Sequence, residues 1–243
     1  MFEWLAAAGA GLLAGGALLV GAAVAWFANI PARVVASIMA FAAGVLISAL
    51  AFDLVGEAVV EAGLWPASLG LATGAVAYVF ANIGLDKLNA RNRRNSQEDP
   101  GTGVGIAVGS LLDGVPESMV LGLSMVGGQS VSIPILIAVG ISNIPEGLSS
   151  TASLKKSGRS AKFVFLLWGG IALAAALSSI AGYTILADVP ATTTGFVTSL
   201  AAGAMLAMVA DTMIPEAFRE AHNYTGLLTA LGFLCSMVIH FIA

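Results

Sequence analysis

Only one stretch of this chain, Lys87 to Gly103, stays polar for more than a few residues; everything else is apolar sequence broken by short turns. So little polar sequence cannot coat a water-soluble globule, and a chain of this kind must take lipid as its solvent. The composition agrees, with 58% hydrophobic residues, 10% charged residues and a mean hydropathy of +0.94. At roughly 20 apolar residues per crossing there is room for about eight helices. Cutting at charged or Gly/Pro-rich breaks predicts spans near 4–28, 33–60, 66–86, 101–126, 130–154, 161–186, 192–217 and 226–243. The expected fold is all-α, a single polytopic domain over residues 1–243 with eight transmembrane helices and a cytoplasmic loop over 87–103.

The positive charges bear on that count independently. All ten Lys and Arg (Arg33, Lys87, Arg91, Arg93, Arg94, Lys155, Lys156, Arg159, Lys162 and Arg219) fall in or beside the loops after spans one, three, five and seven. Lys and Arg in short loops stay cytoplasmic, so those four loops are expected inside and both termini outside. The first segment has no basic flank and no small-residue cleavage site ahead of a soluble domain, and reads as a retained helix. The Lys87–Gly103 linker is basic in its first half and acidic at Glu98-Asp99; it is expected to be short and mobile, to set topology and to touch anionic lipid. A single cysteine, Cys235, lies in the apolar last span, which leaves no disulfide and no Cys-based metal site. Gly101, Gly105 and Gly109, Gly11 and Gly15, and Gly70 and Gly74 recur every four positions, the spacing of tight helix packing.

Against that background the acids stand out. Of fourteen Asp and Glu, eight fall within or at the ends of spans: Asp53, Glu57, Asp113, Glu117, Glu146, Asp211, Glu216 and Glu220. A charged carboxylate at the bilayer centre costs about 2.5 to 3.5 kcal/mol on the mildest scale, so five deep ones cost roughly 15 kcal/mol. Three of them follow a proline, at Val115-Pro116-Glu117, Ile144-Pro145-Glu146 and Ile214-Pro215-Glu216. Each proline frees a backbone carbonyl one turn earlier, which puts a side-chain oxygen and a spare backbone oxygen near one another. Asp53 and Glu57, Asp113 and Glu117, Ser142 and Glu146, and Glu216 and Glu220 are each four apart and share a helix face, with Asn143 beside that of Glu146. No Lys or Arg is expected within the membrane to neutralise these stripes, so internal salt bridging is hard to build. A cation or proton pathway is the favoured reading.

The fourth span with Asp113-Gly114-Val115-Pro116-Glu117, the fifth with Ser142-Asn143-Ile144-Pro145-Glu146-Gly147 and the seventh with Asp211-Thr212-Met213-Ile214-Pro215-Glu216 resemble the signature helices of the ZIP (Zrt/Irt-like) metal transporters. In that family the fourth helix usually reads His-Asn-x-Pro-Glu, the fifth has a ligand four before a Glu, and the seventh reads His-Glu-x-x-Pro-Glu. The resemblance implies eight helices with both termini outside, and metal ligands at Glu117 and Glu146 with Asp113, Ser142 and Asn143 beside them. It further implies that Asp211 and Glu216 line the inner route and that Asp53 and Glu57 complete an adjoining polar path, with Glu220 on the same stripe as Glu216. The chain departs from the pattern at Asp113, Gly114, Ser142 and Asp211-Thr212. Its sixth span has no carboxylate, where many relatives place one to help hold a second metal.

Without His or Cys among those residues, the site is oxygen-rich, which suits harder ions such as Mn2+, Mg2+ or Ca2+, with Fe2+ a further candidate and Zn2+ retained because carboxylates bind it. His222 and His240 at helix ends read as interfacial, and Met119, Met125, Met205, Met208 and Met213 as packing. No cofactor is expected; the metal is substrate. The expected function is uptake of a divalent metal ion into the cytoplasm, and the alternative is proton-coupled carriage of a small organic solute. An enzyme is disfavoured because neither G-x-S-x-G nor H-E-x-x-H occurs. Expected partners are membrane lipid and divalent metal ions, and no nucleic acid. Oligomeric state is open, a homodimer being one option. The expected location is the plasma or inner membrane.

Overall fold

The computed structural model describes residues 3–95, 103–126, 130–186 and 188–242. Among them all regular structure is helical, as it must be where no water is present to satisfy backbone groups. In chain order the helices are α1 (Glu3–Phe27), α2 (Ala32–Ala49), α3 (Glu57–Ala62), α4 (Leu64–Asn95), α5 (Gly103–Leu123), α6 (Ile133–Lys156), α7 (Ala161–Ile185), α8 (Ala191–Met208), α9 (Ile214–Ala221) and α10 (Thr225–Ile242). The seven-residue π-helical segment Leu50–Gly56 joins α2 to α3 without a break, and Val209–Met213 joins α8 to α9 in the same way. The starts follow local chemistry: Ser132 and Ser160 accept the backbone N–H of Ile135 and Phe163 at the N-termini of α6 and α7, and prolines 31 and 190 precede α2 and α8.

Six stretches of the described residues are long and apolar enough to cross a membrane. One of them, Ala191–Ile242, is broken at His222, where φ is 49°, and holds two such helical stretches, α8–α9 and α10. That gives seven; α5, the expected fourth span, is not among them, so the count of eight is not reached by length and hydropathy. The expected linker is also shorter than read: α4 continues through Lys87 to Asn95, and residues 96–102 lie outside the described part.

The helices form two groups. In one, α1, α5, α6 and α7 pack on one another; in the other, α2–α3, α4, α8–α9 and α10 do so, and α2 against α6 and α5 against α8 join the two. The close crossings are made by reciprocal glycines whose added Cβ would strike backbone. Gly21 faces Ile144 and Gly147 faces Leu18 where α1 meets α6, and Gly122 faces Ser179 and Gly182 faces Met119 where α5 meets α7. In the second group Gly44 faces Thr229 and Gly232 faces Phe41 between α2 and α10, while Gly203 faces Leu71 and Gly74 faces Leu200 between α4 and α8. Gly11, Gly15, Gly70 and Gly74 make the contacts their spacing predicted, whereas Gly109 has nothing among the described residues within 4 Å of its Cβ position, and Gly101 lies outside the described residues.

Helices α2–α3 and α8–α9 are two versions of one element. Ala42-Ala43-Gly44, Asp53, Glu57-Ala58 and Glu61-Ala62 recur as Ala201-Ala202-Gly203, Asp211, Glu216-Ala217 and Glu220-Ala221. Each has an 18-residue α-helix, a π segment, a short α-helix and a stop at a positive-φ residue, Gly63 or His222. Gly195 at the start of α8 lies against Ala58 and Ala62 of α3, and α2 lies beside α9, so the two copies run antiparallel.

Candidate metal centre

The proline-glutamate turns of α5 and α6 bring their acids to one small chamber of about 60 Å³. From α5 come Asp113 and Glu117, and from α6 Ser142, Glu146, Ser149 and Ser150. The second helix group supplies Met39, Met208, Thr212, Met213 and Glu216. Four carboxylates thus face a cavity that no Lys, Arg or His among the described residues lines. Glu117 is the most enclosed, 2% exposed, and its Oε2 has no hydrogen-bond partner. An unpartnered buried carboxylate oxygen is held against a desolvation penalty, and a cation or a proton relieves it. Ser142 Oγ donates to the Val139 carbonyl at 2.9 Å, which fixes the hydroxyl beside the chamber.

Glu216 stands between this chamber and a wider one. Its Oε1 accepts the Ser149 hydroxyl at 2.7 Å, a bond that crosses from one helix group to the other. Met39, Ser149 and Glu216 also line a cavity of about 560 Å³, whose wall continues through Asn29, Ser153, Lys155, Lys156, Arg219 and Glu220. The ends of α1, α6 and α9 therefore share one face of the bundle. Lys155 is held there: its Nζ donates to the Trp26 carbonyl at 2.7 Å and sits over the Trp26 ring. Beyond Glu117, Val120 and Leu121 are buried with Leu50 and Leu54 in the apolar core. Among the described residues no three His, Cys, Asp or Glu side chains stand close enough to hold one ion as they are. A bound ion would draw them inward or use the hydroxyl and thioether groups between them.

Asp113, Glu117, Ser142, Glu146 and Glu216 thus converge, and Glu220 stands at the wider mouth. The remaining expected residues do not join them. Asn143 turns to α1, where its Nδ2 donates to the Ala14 carbonyl at 2.8 Å. Asp211 is exposed and lines neither cavity, while Thr212 shares a 3.2 Å hydrogen bond with the Tyr78 hydroxyl. Glu57 is likewise exposed and lines neither. Asp53 corrects the reading of His240 as interfacial and of internal pairing as hard to build: its Oδ1 lies 2.6 Å from His240 Nδ1, and the imidazole stacks on Phe52. Its Oδ2 is buried without a partner.

Two kinds of lining residue escape the sequence reading. Ser149 is legible in retrospect, because Ser142, Glu146 and Ser149 repeat at helical spacing on one face of α6. Met208 and Met213, read as packing, are core residues that also line the chamber, as does Met39.

The fold and the site together define an all-helical integral membrane protein with acids gathered between its helices. Residues of this chain align at 30% identity over 185 positions, 74% of its length, with an Arabidopsis thaliana protein provisionally named a zinc transporter. The chain spans 29% of that relative's length. No family profile matches the chain.

Proposed function

We propose that this protein carries a divalent transition-metal ion across a membrane, in the manner of the ZIP transporters, with α5 completing eight crossings. The observation that carries the reading is the chamber of four carboxylates, with no basic side chain lining it among the described residues, which adjoins a wider vestibule across Met39, Ser149 and Glu216. Glu117 and Glu146 are the principal ligands, and Asp113 and Ser142 adjoin them. Glu216 hands the ion to the vestibule, where Glu220 stands. The basic residues around that vestibule support its being the cytoplasmic side, with both termini outside.

A chamber of about 60 Å³ favours a stripped ion over an organic solute, which usually needs a site of roughly 300 Å³ or more. The donors favour transition metals over Mg2+ or Ca2+, because the thioethers of Met39, Met208 and Met213 stand among the oxygens. The plant relative's name supports Zn2+, and the oxygen-rich set also suits Mn2+ and Fe2+. Transport, not catalysis, is the role of the buried acids.

Uptake of Zn2+ and Mn2+ into proteoliposomes tests this. Glu117→Ala and Glu146→Ala should each abolish it at equal reconstitution, while Glu98→Ala should leave it intact. Wild-type uptake in both chamber variants would remove the site from α5 and α6.

A further inference from the structure

The two antiparallel copies of one element do unequal work in this structure. Glu216 of α9 lines both cavities and accepts the Ser149 hydroxyl, whereas its counterpart in the repeat, Glu57 of α3, is exposed and lines neither. The reciprocal glycine crossings relate the rest of the bundle in the same way. The α2–α10 crossing matches α8–α4, and α1 on α6 matches α7 on α5. The Val115-Pro116-Glu117 and Ile144-Pro145-Glu146 motifs are likewise exchanged. A bundle built from inverted halves around a central site has a second arrangement in which the halves trade roles and the opposite face opens.

We propose that Glu57 is the outer counterpart of Glu216: when the route opens at the face away from Lys155 and Arg219, Glu57 meets α5 at Val120 and passes an incoming hydrated divalent cation to the chamber. The partner follows from register, since Ser149 stands three residues after Glu146 and Val120 three after Glu117. The exchange also explains why this face is shut here. Where α6 offers Ser149 and Ser150 to the chamber, α5 offers Val120 and Leu121, which are buried with Leu50 and Leu54. Asp53 does not take this role. It lies nine residues after Gly44, whereas Asp211 lies eight after Gly203, and this one-residue offset within the π segment turns it to His240. The inference rests on the transport reading for what Glu57 meets, but not for the exchange of halves.

The test uses two cysteine pairs in a Cys235→Ser background, Ser149→Cys with Glu216→Cys and Glu57→Cys with Val120→Cys, treated with a short bis-maleimide in proteoliposomes. Both pairs should cross-link, the second only in molecules whose Lys155 mouth has closed to an impermeant thiol reagent at Ser153→Cys. Complete linkage at 149/216 with none at 57/120 would overturn the proposal. Independently, Glu57→Gln should raise the KM for external Mn2+ by about fivefold or more with kcat within about twofold, and Glu57→Asp should recover most of the loss. Equilibrium Mn2+ stoichiometry in detergent should not change. A wild-type KM in Glu57→Gln would also overturn it. If the wild-type protein moves no divalent cation, the transport reading fails, and the cysteine pairs still report whether the halves exchange.

Discussion

Replacing Glu117 by Gln separates the two things its carboxylate does. The side chain is 2% exposed, one oxygen has no partner, and Asp113, Glu146 and Glu216 line the same chamber with no basic side chain beside them among the described residues. In metal-free protein the substitution replaces a buried carboxyl group that has an unpartnered oxygen by a neutral amide that can donate to a neighbouring carboxylate. An unsatisfied buried group costs about 1–3 kcal/mol, so the variant should be more stable than wild type by about that much. With metal the order reverses. A ligand at one hundred times its Kd stabilises by about 2.7 kcal/mol. At about 2–4 °C per kcal/mol for a chain of this size, wild type should gain about 5–11 °C in apparent Tm and Glu117→Gln far less. Thermal unfolding in detergent, followed by tryptophan fluorescence with and without Zn2+ or Mn2+, measures both. A metal-free Glu117→Gln protein less stable than wild type, or one that keeps the full metal-induced shift, would refute the reasoning.

Three further outcomes follow from the packing. Gly203→Ala puts a methyl group 2.8 Å from the Leu71 carbonyl carbon, so it should destabilise by about 1–3 kcal/mol in thermal unfolding, while Gly109→Ala, with nothing within 4 Å, should not. His240→Ala strips Asp53 of its partner and should cost about 2–3 kcal/mol, below the figure for a fully buried pair because the imidazole is 26% exposed, with the KM for metal uptake unchanged. Asp113→His adds a nitrogen ligand to the chamber and should shift competition between Zn2+ and Mn2+ toward Zn2+ in proteoliposomes; an unchanged ratio with transport intact would show that residue 113 does not touch the metal.

The convergence of Glu117 with Glu146 was legible because a proline-glutamate turn inside an apolar run has few structural uses, and helical spacing then says which neighbours share its face. Asn143 shows the limit of that rule. It lies three residues before Glu146, close enough to share the stripe, yet which helix covers each side depends on the glycine crossing of α1 on α6, which periodicity does not reveal. Asp53 was misplaced for a related reason, since a π segment shifts the register between the Gly44 crossing and the acid. His240 pairs with it across almost the full length of the chain, beyond any local pattern. The α4 extension was predictable from propensity, because Lys87 to Asn95 has no Gly or Pro and six of its nine residues are Leu, Ala, Lys or Arg. The repeat of Ala-Ala-Gly with Asp and two Glu-Ala pairs was present in the sequence and is the signal for the two-fold relation.

The most direct test of a metal site between α5 and α6 is anomalous X-ray diffraction from crystals grown with Zn2+ or Mn2+, measured on either side of the metal's absorption edge. A peak should lie in the chamber with carboxylate oxygens of Glu117 and Glu146 about 2.0–2.3 Å away, and it should vanish in Glu146→Ala crystals grown identically. Metal bound only elsewhere on the protein, or an empty chamber at saturating metal, would contradict the account.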